Sequence, residues 1–148
     1  MLESRKLEDL IPCVSSKAIY FIARAEVELE IKIIVTCTRR DGEKQHALYQ
    51  VGRRGIPGER IVTNADSGES FHEFGVAFDI FPIRYGKPVL FESDGDQVSD
   101  PIWQNLGRIA AECGLEWAGN WKHFPEGPHF QYTGGLTLAQ LKFGHVPS

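Results

Sequence analysis

Two short runs hold the residues able to do chemistry. SFHEFGVAFDIF contains His72 and Asp79, and FPEGPHFQY contains Glu126 and His129. Two imidazoles and a carboxylate are the ligand set of a mononuclear zinc site with one position left for water, and a glutamate three residues before the last imidazole is placed to act as a base on that water. If the four converge, they describe metal-dependent hydrolysis; the same donors also suit manganese or iron. Either histidine alone would read as an ordinary hydrogen-bonded residue, and Glu126 alone as a solvated loop glutamate. Asp79 says more by itself. It interrupts the apolar run VAFDIF, and a buried carboxylate needs a metal or an arginine to offset its lost hydration.

Other groups stand within reach of such a centre. Arg39 and Arg40 follow the apolar segment IKIIVTC. An arginine at a strand end can stabilise the oxyanion of a tetrahedral intermediate, but neighbours on an extended chain point oppositely, so at most one arrives. Ser70 stands two residues before His72, where its hydroxyl can bond a ligand or a substrate carbonyl, or simply make a turn. Trp117 and Trp121 flank a glycine-bearing turn ahead of Glu126; walls of a cleft and core packing are both open readings. Cys13, Cys37 and Cys113 lie far apart with no CxxC pair. They read as thiols in a reducing compartment, Cys37 and Cys113 as core packing.

The elements that must position these groups follow from periodicity. Ser15 or Ser16 is expected to cap a helix through KAIYFIARAEVEL, with Ala18, Ile22, Ala25 and Leu29 on one face. IKIIVTC reads as a buried strand, and EKQHALYQVG as a short helix stopped by Gly52. Residues 53–71 carry glycines, a proline and few large apolar side chains; a loop this long is more often functional than filler. VAFDIF reads as a strand with Phe78 and Ile80 on one side and Ala77, Asp79 and Phe81 on the other. A turn at Gly75 would let His72 and Asp79 face one centre. After a turn at Tyr85–Pro88, PVLFE reads as a paired strand. Asp100 caps a helix with Pro101 at its first position, and Ile102, Leu106, Ile109, Ala110 and Cys113 are its apolar face. GPHFQY reads as a last strand and TLAQLKFG as a closing helix. The expected fold is α+β: a single small domain over residues 1–148, a mixed or antiparallel central sheet flanked by helices, and the zinc site at the sheet face.

Bulk properties narrow the partners. The 148 residues are 42% hydrophobic and 24% charged with net charge −4, ordinary for a globular protein. No basic stripe suggests a nucleic-acid partner. MLESRKLEDLIP has no apolar h-region, and no stretch has the roughly 18 apolar residues of a membrane span. The expectation is a chain kept in the cytoplasm, with no membrane insertion.

SFHEFGVAFDI matches the S-x-H-x-x-G-x-A-x-D pattern of the zinc peptidases that include D-Ala-D-Ala carboxypeptidases and dipeptidases. Three blocks, one of them extending that run, TCTRRDGEKQHALYQVGR, PGERIVTNADSGESFHEFGVAFDI and GLEWAGNWKHFPEGPHFQY, resemble one branch in order: the L-alanyl-D-glutamate peptidases of phage endolysins and their prophage and bacterial relatives. The resemblance implies one zinc per chain bound by His72, Asp79 and His129, with Glu126 as catalytic acid/base where many endolysin relatives carry aspartate. Arg40 stands five residues before Gln45, as the family arginine stands before its glutamine, so Arg40 rather than Arg39 inherits the substrate or oxyanion role. Arg39 itself fills a place often held by glycine or tyrosine. Ser70, Gln45 and Trp121 are expected to bind substrate or support the ligands. The substrate implied is the peptidoglycan stem peptide, cut between L-Ala and D-Glu by a monomer without an appended wall-binding domain. The enzyme would stay cytoplasmic until a separate membrane-permeabilising protein releases it at lysis, and would then act on the periplasmic wall. A D,D- or L,D-carboxypeptidase on the same stem, and a zinc-bound recognition module without catalysis, are the alternatives.

Overall fold

Pro12 sets the start of the longest helix. In the computed structural model, which describes residues 1–94, 97–98 and 100–148, helix α1 spans Pro12–Leu29 with that proline in its first turn. Its missing N–H has no partner to lose there, so the helix begins a turn earlier than Ser15 or Ser16 would set it. Val14, Ala18, Phe21 and Ala25 form its fully buried stripe, while Ile22 and Leu29 pack at the margin.

Strand β1 (Lys32–Cys37) leads to α2 (Gly42–Gln50), which Asp41 caps by accepting from the Lys44 amide at 2.8 Å. Gly52 follows with φ +83°, and a Cβ there would lie 2.4 Å from the Ile61 amide nitrogen. Only glycine permits this reversal. Residues 53–69 contain no helix or strand, as their composition predicts. Arg53 ties them back to α2 through the Tyr49 and Thr63 carbonyls.

Strand β2 (Ala77–Arg84) is the centre of the sheet. It pairs antiparallel with β1 on one side and with β7 (His129–Gln131) on the other, and β7 pairs antiparallel with β6 (Glu116–Trp117). The expected PVLFE strand is curtailed. Only β3 (Lys87–Pro88) pairs with β2, because the Leu90 carbonyl accepts instead from Trp103 Nε1 at 3.1 Å and Phe91 packs edge-on against Trp103. The short strands β4 (Ser93–Asp94) and β5 (Gln97–Val98) pair with each other. All of these pairings are antiparallel, which resolves the choice left open between a mixed and an antiparallel sheet.

Helix α3 (Pro101–Glu112) begins as expected, the Asp100 carboxylate accepting from the Ile102 amide at 3.0 Å. Ile102, Trp103, Leu106, Ile109 and Ala110 are buried. Helix α4 (Leu138–Lys142) closes the described chain with a Thr137/Gln140 capping box. The core lies between α1, α3 and one face of the sheet. Phe21 of α1 meets Phe130 and Phe78 at ring separations of 4.8 and 6.3 Å. With a period of two, Phe78 and Ile80 face this core, and Asp79 and Phe81 face the opposite side. Among the described residues, no helix is long and apolar enough to cross a membrane.

Candidate metal centre and cleft

Sheet register brings the ligand candidates together. Asp79 pairs directly with His129 across β2 and β7, and with Cys37 across β2 and β1, where a register shift between Val35 and Cys37 sets the match. His72 comes from outside the sheet. It sits on a 3-10 turn, Phe71–Phe74, rather than on a folded-back strand. Ser70 caps that turn by accepting from the His72 amide at 3.3 Å, and the Glu73 carboxylate accepts from the Ser70 amide at 3.0 Å. Gly75, at φ 71°, ends the turn and launches β2. The expected turn at Gly75 is therefore present, and Ser70 serves the site through the backbone of His72.

One carboxylate oxygen faces both imidazoles. Asp79 Oδ1 lies 3.1 Å from His72 Nε2 and 3.3 Å from His129 Nδ1. Four donors around zinc at about 2.0–2.1 Å stand roughly 3.3 Å apart along a tetrahedral edge, so each imidazole stands from Asp79 at a distance that suits a shared zinc ion. Each outer ring nitrogen already has an acceptor: the Thr38 carbonyl is 2.8 Å from His72 Nδ1, and Gln131 Oε1 is 2.8 Å from His129 Nε2. In the neutral form of each ring a proton held on the outer nitrogen leaves the inner nitrogen free to ligate a metal. Cys37, His72 and Asp79 also form a compact set, with ligand atoms within 4.8 Å of one another. The thiol, however, approaches His72 at Nδ1, at 3.7 Å, the nitrogen that already bonds Thr38. On the Nε2 side of His72, His129 Nδ1 faces the same Asp79 oxygen at 3.3 Å.

The electrostatics are those of a buried charged cluster. Burial opposes the charge on His72, but Asp79 outweighs it and pushes the imidazole up to about 10. Burial likewise opposes the charge on Asp79, yet His72 and His129 hold its carboxyl well below the usual range. Glu126 lies with Oε2 3.7 Å from His129 Nδ1. Burial raises its pKa and Asp79 adds to the rise, against the opposing pull of His129, His72 and Arg40.

Arg40, not Arg39, lines the cleft. Its Nη2 is 3.6 Å from Asp79 Oδ2 and donates to Cys37 Sγ at 3.2 Å; its Nη1 donates to Gln45 Oε1 at 3.2 Å. Gln45 is buried and also donates to the Ala65 carbonyl at 2.6 Å, joining Arg40 to the long loop. That loop borders the cleft, whose volume is about 1050 Å³, through Val62, Thr63 and Ala65. Phe81, Leu90 and Trp121 also line it.

The two tryptophans divide. Trp117 is buried and donates to the Gly127 carbonyl at 2.7 Å, whereas the Trp121 ring stands 5.4 Å from that of His129 in the cleft. Cys37 is corrected from core packing to a cleft residue, buried yet beside Arg40 and His72. Cys113 is half-buried against the core edge, and all three cysteines are free. Sequence reasoning missed Thr38, which acts through its carbonyl and leaves no side-chain signal. It also missed Gln131 and Glu116. Gln131 shares the face of His129 two residues on, a strand period that points to it; Glu116 becomes visible only through its pairing with Gln131.

The sheet presents two imidazoles and a carboxylate, with a glutamate beside them in an open cleft, and the comparisons with known proteins place that arrangement in a metallopeptidase. The family model described as D-alanyl-D-alanine carboxypeptidase matches residues 63–132, which include His72, Asp79, Glu126 and His129. The chain is 34% identical over 125 residues to the peptidoglycan L-alanyl-D-glutamate endopeptidase CwlK of Bacillus subtilis (strain 168), covering 83% of this chain and 73% of CwlK. The chain belongs to the D-alanyl-D-alanine carboxypeptidase family of peptidases. Two solved structures share the fold. The L-Ala D-Glu endopeptidase ChiX of Serratia marcescens matches with TM-score 0.60 and 20% identity over 86% of this chain and 83% of ChiX. The vancomycin-resistance D,D-pentapeptidase VanY, solved in complex with Zn(II), matches with TM-score 0.61 and 18% identity over 90% of this chain and 83% of VanY.

Proposed function

We propose that this chain is a zinc-dependent peptidase that hydrolyses the L-Ala-D-Glu bond of the peptidoglycan stem peptide. The observation that carries the chemistry is the sharing of Asp79 Oδ1 between His72 Nε2 and His129 Nδ1, with Glu126 beside them. The choice of bond is supported by the likeness to CwlK over most of both chains.

His72, Asp79 and His129 would hold one zinc ion. Zinc bound there supplies Lewis-acid polarisation of the scissile carbonyl and lowers the pKa of water. Glu126 takes the proton from the attacking water as its oxygen adds to the alanyl carbonyl carbon, and returns that proton to the glutamyl nitrogen as the C–N bond breaks. Its raised pKa suits a group that must accept a proton and then donate it. Arg40 offers Nη2 to the developing oxyanion or to a substrate carboxylate, and Gln45 holds the guanidinium in place. Trp121 and the 53–71 loop wall the stem peptide.

The working form is read as a monomer of phage or prophage type, released to the wall by a separate membrane-permeabilising protein. The endolysin-like blocks around Arg40, His72 and His129 support this part. A D,D- or L,D-carboxypeptidase would use the same groups and is favoured by the description of the matching family model. The presence of Glu126 speaks against a non-catalytic module. Digestion of purified sacculi with the zinc-loaded protein tests the reading: new alanine and glutamate termini support the endopeptidase, and free D-Ala with an intact L-Ala-D-Glu bond supports the carboxypeptidase.

A further inference from the structure

A line of hydrogen bonds leads from His129 through Gln131 and Glu116 to Trp121. His129 Nε2 is 2.8 Å from Gln131 Oε1, Gln131 Nε2 donates to Glu116 Oε2 at 3.1 Å, and Glu116 Oε1 accepts from Trp121 Nε1 at 3.0 Å. Glu116 and Gln131 are direct cross-strand partners on β6 and β7, so the geometry is built into the register. Gln131 and His129 are both buried.

The chemistry of the line has one polarity. An ionised carboxylate only accepts hydrogen bonds, whereas a primary amide can present either its NH2 or its oxygen. Glu116 draws the Gln131 NH2 toward itself, and the Gln131 oxygen must then face His129. That oxygen accepts, so the His129 proton sits on Nε2 and the lone pair on Nδ1, the nitrogen facing Asp79. A reversed amide would place a donor against Nε2 and move the proton to Nδ1, where it blocks ligation.

We propose that Glu116 is a positioning residue that sets the ligating tautomer of His129 through Gln131, and that it anchors the cleft wall at Trp121 with its second oxygen. The inference rests on the reading of His129 as a zinc ligand. It assigns Glu116 no contact with substrate or metal.

The test is direct measurement of zinc affinity by chelator competition, together with the thermal stability of the metal-free protein. Glu116→Gln keeps size and shape but removes the enforced polarity. Zinc affinity is expected to fall about tenfold or more, with the melting temperature of the metal-free form little changed. The double variant Glu116→Gln with Gln131→Glu restores the polarity: the carboxylate introduced at position 131 accepts from His129, and the amide introduced at position 116 donates to it. Zinc affinity is expected to recover toward that of the unaltered protein. Unaltered affinity in Glu116→Gln, or a double variant no better than the single one, overturns the inference. Failure of the unaltered protein to bind zinc overturns instead the reading on which it rests.

Discussion

Asp79 and His129 are cross-strand partners, and the single oxygen Asp79 Oδ1 lies 3.3 Å from His129 Nδ1. These residues are far apart in the chain, yet the β2–β7 register alone makes them neighbours. His72 completes the set from a capped turn that leads into the same strand. The centre therefore rests on backbone pairing, which a one-residue slip would destroy by turning every side chain to the other face.

Glu126 is the proton carrier of the proposed mechanism. Glu126→Ala should lower kcat on stem-peptide substrate by roughly 10²- to 10⁴-fold while zinc content and folding stay intact. Turnover is measured by release of new amino groups, and metal content by elemental analysis. A variant that cuts at the native rate contradicts the mechanism.

The two adjacent arginines should separate cleanly. Arg40→Ala is expected to cost about 10²- to 10³-fold in kcat, because Arg40 stands beside Asp79 in the cleft. Arg39→Ala should stay near the native rate. Steady-state kinetics on both variants check this, and equal losses would contradict the assignment of Arg40.

The third donor is decided by zinc stoichiometry. Cys37→Ala should retain one zinc per chain, because the thiol faces the outer nitrogen of His72. His129→Ala should lose most of its zinc affinity. The opposite pattern would replace the proposed set with Cys37, His72 and Asp79.

Much of this site was legible before the fold. The interruption of VAFDIF by Asp79 marked a buried carboxylate in need of a partner, and alternation along β2 set it on the face opposite Phe78 and Ile80. Asp100 and Pro101 announced α3 because capping is local chemistry. What escaped was non-local. The start of α1 turned on Pro12 outweighing two serines, and the loss of PVLFE from the sheet turned on Trp103 claiming the Leu90 carbonyl. The approach of Cys37 to the centre depends on a register shift in β1, and the role of Glu116 on a pairing between two short strands. No window of sequence around either residue contains that information.

The metal-free protein should show a distinctive dependence on pH. The His72 pKa is raised from 6.5 to about 10 in the fold. Its contribution to stability is therefore fully present below 6.5 and is lost as pH rises through 10. The Asp79 pKa is depressed from 3.8, so its contribution is present above 3.8 and is lost as pH falls below that value. Stability from this pair is greatest between 3.8 and 6.5. Zinc needs the imidazoles neutral, so its added stabilisation should grow as pH rises from acid to neutral. Thermal denaturation across pH, with and without chelator, checks both trends. Metal-free stability that rises from pH 6.5 to 10 would contradict the pairing.

The bond that is cut is tested most directly by mass spectrometry of muropeptides after digestion with the zinc-loaded protein. Cleavage of the L-Ala-D-Glu bond yields sugar fragments ending in L-Ala, and stem fragments beginning with D-Glu. Release of terminal D-Ala from stems whose L-Ala-D-Glu bond stays intact would contradict it.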